Sequence, residues 1–157
     1  MEIGATKAVQ DRLKTTKIEE SKGASLVFCW DTHLTKIKGR NVLFIVNASN
    51  RYTIAMTDIE PRNWNYYTMY IRSVIHGVMQ EMGYSEDQIG QYFKMSGDTT
   101  VTKTHGRKSV GGINRMVMDA QYFGKKLEKE AKYQWELSEY LNRDICQPEG
   151  FDAYGYP

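Results

Sequence analysis

The chain has 157 residues, of which 41% are apolar and 25% are charged, and its net charge is +2. This length and apolar share are those of an ordinary globular domain and argue against a largely disordered chain. The small positive surplus argues against a surface dedicated to nucleic acid or membrane, although a local basic patch remains open. We expect one domain over 1–157, with a core in 1–123 and a C-terminal helix and aromatic tail in 124–157.

The two cysteines, Cys29 and Cys146, are too few for the disulfide framework of a small secreted protein, and no CxxC pair is present. The N-terminus lacks the basic and apolar regions of a signal peptide. No apolar run approaches the roughly 18 residues that a membrane span needs. We therefore expect a cytoplasmic protein without membrane contact, and we predict neither a bound metal nor a cofactor.

The first third of the chain predicts a short helix followed by a sheet. Thr6 can cap a helix that runs through Leu13, and the polar segment 14–23 is typical of a loop. Between 26 and 56 the pattern changes to alternation and to apolar runs rich in β-branched residues, separated by two turns. This pattern predicts a three-stranded antiparallel meander.

The remainder of the chain predicts mainly helices. Helical spacing and capping patterns predict helices that begin after Asn63, at the capping box 85–88, over 109–120 and over 125–141. A Thr-rich segment near 99–104 predicts one more strand. The sum is an α+β fold, in which a small antiparallel sheet is covered by helices. A C-terminal helix and an irregular tail follow, and the sequence leaves open whether this helix packs on its own core or on a second chain.

Three polar side chains share one face of the first meander strand. Cys29, Asp31 and His33 alternate with apolar residues, so they point to the same side of the sheet. Thiol, carboxylate and imidazole are the groups of a nucleophile–base pair or of a metal site. The alternative is a strand that turns polar as it leaves the core, with Cys29 buried as a small apolar residue.

A basic segment leads from the last strand into a helix. Free N–H groups and the helix dipole at such a junction favour anions, although the spacing of a P-loop is absent. The alternative is a solvated loop with ordinary surface charge. The candidate anion- or phosphate-binding residues are Lys103, His105, Arg107, Lys108 and Ser109.

Aromatic residues are frequent in the nonperiodic C-terminal tail. Phe151, Tyr154 and Tyr156 have no evident core to join, so they are candidates for a partner surface. The alternative is that these rings fold back on the sheet. We expect a protein partner, and we leave nucleic acid and a second copy of the chain open as partners.

Several segments carry a family resemblance by their order along the chain. They are IGATK at 3–7, FCWDTHL at 28–34, VNASNRY at 46–52 and TKT at 102–104, with Arg107, Ser109 and Asn114. Over roughly residues 1–123 they resemble a bacterial and phage family known as domain of unknown function 6933. The resemblance implies a bacterial or mobile-element setting and no assigned activity. This chain has Trp30-Asp31 where we expect tryptophan followed by histidine or tyrosine, which weakens a catalytic role for the face that bears Asp31.

Three functions follow as hypotheses, in this order. The first is a non-enzymatic binding protein that acts by protein contact, for instance a phage-type inhibitor of a host defence complex. The second is a nucleic-acid or nucleotide-binding domain that uses the basic segment 102–109. The third is a small enzyme that uses Cys29, Asp31 and His33. No feature of the sequence decides between the first two.

Overall fold

The computed structural model describes residues 1–15, 18–148 and 150–157. Within them, one sheet is formed by the strands β1 (Glu2–Ala5), β2 (Cys29–Ile37), β3 (Arg40–Asn47), β4 (Thr53–Thr57) and β5 (Thr100–Thr102). The helices are α1 (Lys7–Leu13), α2 (Pro61–Asn65), α3 (Tyr67–Glu81), α4 (Glu86–Ser96), α5 (Gly106–Gln121) and α6 (Trp135–Asn142). The predicted α+β class is confirmed. Residues 16 and 17 of the predicted loop 14–23 lie outside the described residues.

The strands lie in the order β4-β3-β2-β1-β5. The meander β2-β3-β4 is antiparallel, as predicted. In contrast, β1 runs parallel to both β2 and β5, so the sheet is mixed and not purely antiparallel. β1 is not predictable from the sequence, because its four residues place Glu2 and Gly4 on one face and give little alternating signal.

Helices cover both faces of the sheet. On one face, which we call the α3 face, α1, α2 and α3 bury an apolar cluster that includes Ile45 and Ile71. On the other face, which we call the α5 face, α5 and α6 bury a second cluster that includes Phe44 and Ile113. Because β3 contributes to both clusters, its residues 42–46 are apolar without interruption and do not alternate with polar residues.

Two predicted element boundaries are corrected. The segment Leu26–Phe28 forms a single 3-10 turn, and β2 begins only at Cys29. The helix predicted after Asn63 begins three residues earlier with α2, at Pro61, and Glu60 occupies the capping position predicted for Asn63. Proline suits the first helical position because its missing N–H is not needed there. By contrast, the capping box of α4 forms as predicted, between Ser85 and Gln88.

The predicted helix 125–141 is shorter in the structure, where α6 begins only at Trp135. The residues before it pair with the edge strand β4 instead: Thr57 N donates to Lys132 O at 2.8 Å, and Gln134 N donates to Ala55 O at 2.9 Å. An uncovered edge strand would expose unpaired N–H and C=O groups. In the residues before Trp135, hydrogen bonding to the edge strand β4 therefore outweighs the helical pattern of the sequence.

The C-terminal helix packs on its own sheet. The Ser138 hydroxyl accepts a hydrogen bond from Ala55 N at 2.9 Å, and the Asn142 side chain pairs with both backbone groups of Thr53. Leu137 and Leu141 of α6 join the apolar cluster of the α5 face. Among the described residues, no helix has both the length and the apolar character required to cross a bilayer.

Candidate functional site

Five polar side chains meet on the α5 face where β1, β2 and the start of α5 converge. We call them the buried polar cluster: Glu2, Cys29, Asp31, His105 and Ser109, all of them buried. The parallel register of β1 and β2 places Glu2 beside Cys29 and Gly4 beside Asp31. His105 and Ser109 come from the far end of the chain and reach the same point because α5 starts over these strands.

His105 lies at the centre of the buried polar cluster, between two carboxylates. Its Nδ1 is 2.7 Å from Asp31 Oδ1, and its Nε2 is 3.1 Å from Glu2 Oε2. Burial alone would lower the pKa of His105, but the hydrogen bonds with Asp31 and Cys29 and the charge of Asp31 raise it to about 10. Because a carboxylate only accepts hydrogen bonds, the imidazolium satisfies both acids at once.

Asp31 is held by donors from α5. It accepts hydrogen bonds from His105 N at 3.2 and 3.3 Å and from the Ser109 hydroxyl. A carboxylate at this point complements the unpaired N–H groups and the positive dipole of the helix N-terminus. The anion expected at the strand–helix junction of the basic segment is therefore one that the protein supplies itself.

Gly4 makes room for Asp31 on the neighbouring strand. A Cβ atom at position 4 would overlap Asp31 Oδ1 and would lie 3.0 Å from the Thr104 Cα atom. Only glycine allows the carboxylate to lie flat against β1 here.

Glu2 and Cys29 complete the buried polar cluster on the side away from Ser109. Burial opposes ionisation of Glu2, but hydrogen bonds from the Ser21 hydroxyl at 2.6 Å, from Lys22 N at 2.8 Å and from His105 hold its pKa below the ordinary value. The Cys29 thiol donates to Ser25 O at 3.4 Å. One ligand atom each from Glu2, Cys29 and His105 lies within 4.8 Å of the other two, so these three residues could hold a metal ion.

The predicted group Cys29, Asp31 and His33 is only partly brought together. Cys29 and Asp31 both enter the buried polar cluster, but the partner of Asp31 is His105. The His33 Nδ1 atom lies 3.2 Å from the Thr6 hydroxyl, and among the described residues it makes no hydrogen bond with Cys29 or Asp31. Burial lowers the pKa of His33.

Next to the buried polar cluster lies a cavity of about 430 Å³ between the turn after β3, α5 and α6. Ser109 lines this cavity and also donates to Asp31, so it connects the two features. We call it the cationic cavity because four basic side chains line it against two carboxylates. The basic side chains are Arg51, Lys108, Arg115 and Arg143, and the carboxylates are Asp119 and Asp144.

Arg51 is positioned in the cationic cavity by a rigid turn. The Asn47 side chain accepts hydrogen bonds from Ser49 N and Asn50 N and donates to Val27 O, and Arg51 itself takes a left-handed φ of 65°. A Cβ at position 112 would lie 2.8 Å from Arg51 Nε, so Gly112 allows the guanidinium to lie against α5.

Among the described residues, two of the cavity's basic side chains have no acidic partner within 4 Å. Arg115 lies 3.9 Å from Asp119, and Arg143 pairs with Glu139 at 2.7 Å. Within the described part of the chain, no carboxylate pairs with Arg51 or Lys108. Arg51 has the Cys146 thiol as a neighbour; burial raises the pKa of this thiol, and Arg51 opposes the rise.

The basic segment 102–109 does not form one surface. Lys103 points to the loop before β2, where it pairs with Glu20, whereas His105 and Ser109 turn inward. Arg107 is exposed, and Lys108 lines the cationic cavity. The five predicted residues thus divide among four different surroundings.

The tail aromatics are exposed. Phe151, Tyr154 and Tyr156 retain 53%, 73% and 70% of their accessible surface. Phe151 borders an apolar groove with Trp30 and Tyr52, while the other two rings extend into solvent. Within the tail, the backbones of Cys146 and Gly155 form two hydrogen bonds with each other, each of 2.9 Å.

Sequence reasoning missed Glu2, Gly4 and Arg51. The signal for the first two was the alternation of Glu2 and Gly4 with Ile3 and Ala5, which is too short to identify a strand by itself. The signal for Arg51 was its place directly after the turn residues 47–50, because asparagine side chains in a turn fix the backbone of the residues that follow.

Comparison with known families gives a match along nearly the whole chain. The model of the family described as Domain of unknown function (DUF6933) matches residues 2–157, and thus extends beyond the 1–123 that the resemblance covered. Neither the curated proteins nor the solved structures gave a significant match. The chain therefore belongs to the family of domain of unknown function 6933.

Proposed function

We propose that this chain is a binding protein whose cationic cavity takes a small anionic ligand with a phosphate or carboxylate group. The observation that carries the proposal is Arg51, a guanidinium held in place by a rigid turn and by the space above Gly112. In the described part of the chain this guanidinium has no carboxylate partner, and a planar guanidinium matches phosphate and carboxylate oxygens in a two-point geometry. Lys108 supplies a second cation at the same cavity.

The size and lining of the cationic cavity support a ligand with both an anionic and an apolar part. Its volume of about 430 Å³ falls in the range of small-molecule pockets. Ile113, Met116 and Leu141 provide apolar walls opposite the basic side chains. A ligand of this kind would place its anionic group at Arg51 and its apolar body against α5.

Calorimetric titration of the untagged full chain tests the proposal with four probes: inorganic phosphate, pyrophosphate, ADP and citrate. We expect at least one probe to bind, and we expect Arg51→Gln to weaken it by about 10- to 100-fold, because a charge-assisted hydrogen bond contributes roughly 1.5–3 kcal/mol. Arg107→Gln is the matched control, since Arg107 is an exposed arginine in the first turn of α5 outside the cavity lining. The Arg107→Gln variant should bind the probe as tightly as the wild type does.

Two outcomes would contradict the cavity as the binding site. The first is that none of the probes binds at millimolar concentration. The second is that binding depends on Lys103 and Arg107 but not on Arg51. With a steep linear fall of log affinity against log salt, this second outcome would favour nucleic acid on the basic segment 102–109.

The exposed tail favours a second candidate function, binding to another protein. Aromatic rings such as Tyr154 and Tyr156, which retain most of their surface, are typical anchors of protein interfaces. In the bacterial or mobile-element setting that the family resemblance implies, the partner would be a cytoplasmic host protein, for instance a component of a defence complex.

Affinity capture from a bacterial lysate, followed by mass spectrometry, tests this second candidate. We expect a partner that the wild type retains and the double variant Tyr154→Ser/Tyr156→Ser loses. Tyr122→Ser is the control, because Tyr122 is equally exposed, at 80%, but lies after α5 and away from the tail. Equal capture by all three proteins would refute a role for the tail.

A further inference from the structure

The buried polar cluster contains a ligand set that the cationic cavity does not use. Glu2 Oε, Cys29 Sγ and His105 Nε2 come from β1, from β2 and from the residue before α5, and all three side chains are buried. Carboxylate oxygen, thiolate sulfur and imidazole nitrogen are the three donor types that Zn²⁺ accepts in proteins. We propose that Glu2, Cys29 and His105 form a site for one divalent transition metal ion, with Zn²⁺ as the first candidate.

The distances within the ligand set suit a small tetrahedral site. Bonds of about 2.0–2.3 Å place neighbouring ligand atoms roughly 3.3–3.6 Å apart. The gap between His105 Nε2 and Glu2 Oε2 is 3.1 Å, and all three ligand atoms lie within 4.8 Å of one another. A shift of about 1 Å would therefore close the set around an ion. Binding would release two protons to solvent: the one that His105 Nε2 shares with Glu2, and that of the Cys29 thiol.

The surroundings of the three ligands match those of protein metal sites. The Nδ1 atom of His105 is held at 2.7 Å by Asp31 Oδ1, which orients the ring and leaves Nε2 to the metal. Carboxylate–histidine–metal arrangements of this kind are the rule in zinc proteins. Glu2 is oriented in turn by Lys22 N at 2.8 Å. Asp31 is thus a positioning residue, supported by Ser109 and by the space at Gly4.

An exposed loop lies directly beside the ligand set. Ser21 and Lys22, which contact the Glu2 carboxylate, belong to an exposed loop. Three protein ligands leave the fourth position of a tetrahedral ion to water or to a small ligand. An ion can therefore reach Glu2 beneath this loop without opening the apolar core.

The test uses the untagged full chain, stripped with a chelator and then titrated with Co²⁺ and Zn²⁺. We expect one equivalent to bind, and we expect the Co²⁺ form to show the intense d–d bands of a tetrahedral ion and a thiolate-to-cobalt charge-transfer band. Cys29→Ser should abolish the sulfur band, and Glu2→Gln should weaken affinity by 100-fold or more. Asp31→Asn should weaken it about 10- to 100-fold, as loss of an outer-shell partner does. Cys146→Ser is the matched control and should bind like the wild type, since Cys146 lies outside the ligand set.

The wild type alone can overturn the proposal, even if Cys29→Ser does not fold. Failure to bind close to one equivalent of Zn²⁺ or Co²⁺ would do so. So would X-ray absorption of the Zn²⁺ form without a sulfur neighbour at about 2.3 Å. A sulfur band that persists in Cys29→Ser and disappears in Cys146→Ser would likewise refute the assignment.

Discussion

The two faces of the sheet bury polar groups in different ways. On the α3 face, the buried hydrogen bonds join neutral groups: Tyr67 donates to the Thr32 hydroxyl at 2.6 Å, and Thr32 donates to Gly4 O at 2.8 Å. On the α5 face, the buried polar cluster contains Asp31, His105 and Glu2, which carry charge. Neighbouring residues of one strand, Asp31 and Thr32, thus serve opposite faces.

This difference indicates where function resides. Neutral hydroxyl groups that hydrogen-bond to each other can be buried in a core at little cost in free energy. Buried charges are costly unless they are paired and hydrogen-bonded. Cores therefore seldom retain ionisable groups for stability alone. The charged cluster and the cationic cavity both lie on the α5 face and share Ser109, while the α3 face is mainly apolar packing.

The largest expected effect is the loss of a buried charge. Asp31→Asn should lower the free energy of unfolding by about 3–5 kcal/mol, because it removes the charge that pairs with His105 Nδ1 and leaves only Glu2 to compensate the buried imidazolium. Thr32→Val, its neighbour on the other face, should cost only about 2 kcal/mol, since it removes neutral hydrogen bonds. Urea unfolding in the presence of a chelator measures both. Equal losses of unfolding free energy in the two variants would contradict the claim that the polar groups of the α5 face are charged and those of the α3 face are neutral.

The next effect concerns the space beside Asp31. Gly4→Ala should cost about 3 kcal/mol, because the added methyl group displaces the Asp31 carboxylate. Gly111→Ala provides the control: a Cβ there meets nothing within 4 Å, and alanine is the better helix former by about 1 kcal/mol. Thermal unfolding should show opposite signs for the two variants. A harmless Gly4→Ala would mean that Asp31 is not held against β1.

A smaller contrast separates two hydroxyl groups. Ser109→Ala should cost about 2 kcal/mol, because its hydroxyl donates to a charged acceptor, Asp31. Tyr67→Phe should cost about 1 kcal/mol, because the hydroxyl of Tyr67 bonds to a neutral one. Denaturant midpoints at constant slope report both values. A larger loss for Tyr67→Phe would reverse the ranking of the two faces.

The smallest effect is expected on the surface. Lys103 pairs with Glu20, and both side chains are more than half exposed. Lys103→Ala should therefore change stability by about 0.5 kcal/mol or less. The same urea titration provides the measurement. A loss above 1 kcal/mol would show that the basic segment supports the fold more than its exposure suggests.

How much could be predicted depends on the distance between contacting residues in the sequence. Alternation along one strand correctly grouped Cys29 with Asp31, and helical spacing correctly identified α3. His105 lies 74 residues beyond Asp31, and no local pattern encodes that contact. The buried polar cluster also depends on β1, whose four residues form a strand only because β2 and β5 flank it.

The cationic cavity was beyond sequence reasoning for a similar reason. Arg51 belongs to a turn, Lys108 to the first turn of α5 and Arg143 to the end of α6, so three distant segments supply its charges. The predicted basic site instead consisted of cations that are adjacent in the chain. Chain adjacency failed there because the strand-to-helix turn directs Lys103 and Lys108 to different surroundings.

The central claim is that the α5 face carries the ligand site, and amide chemical-shift mapping of the labelled full chain tests it most directly. With the tightest of the four anionic probes, we predict that shifts will concentrate at Arg51, Gly112 and Arg143. The amides of α3 and of Arg107 should stay unchanged. Shifts concentrated on the α3 face or along 102–107, or no shifts with any probe, would contradict the account.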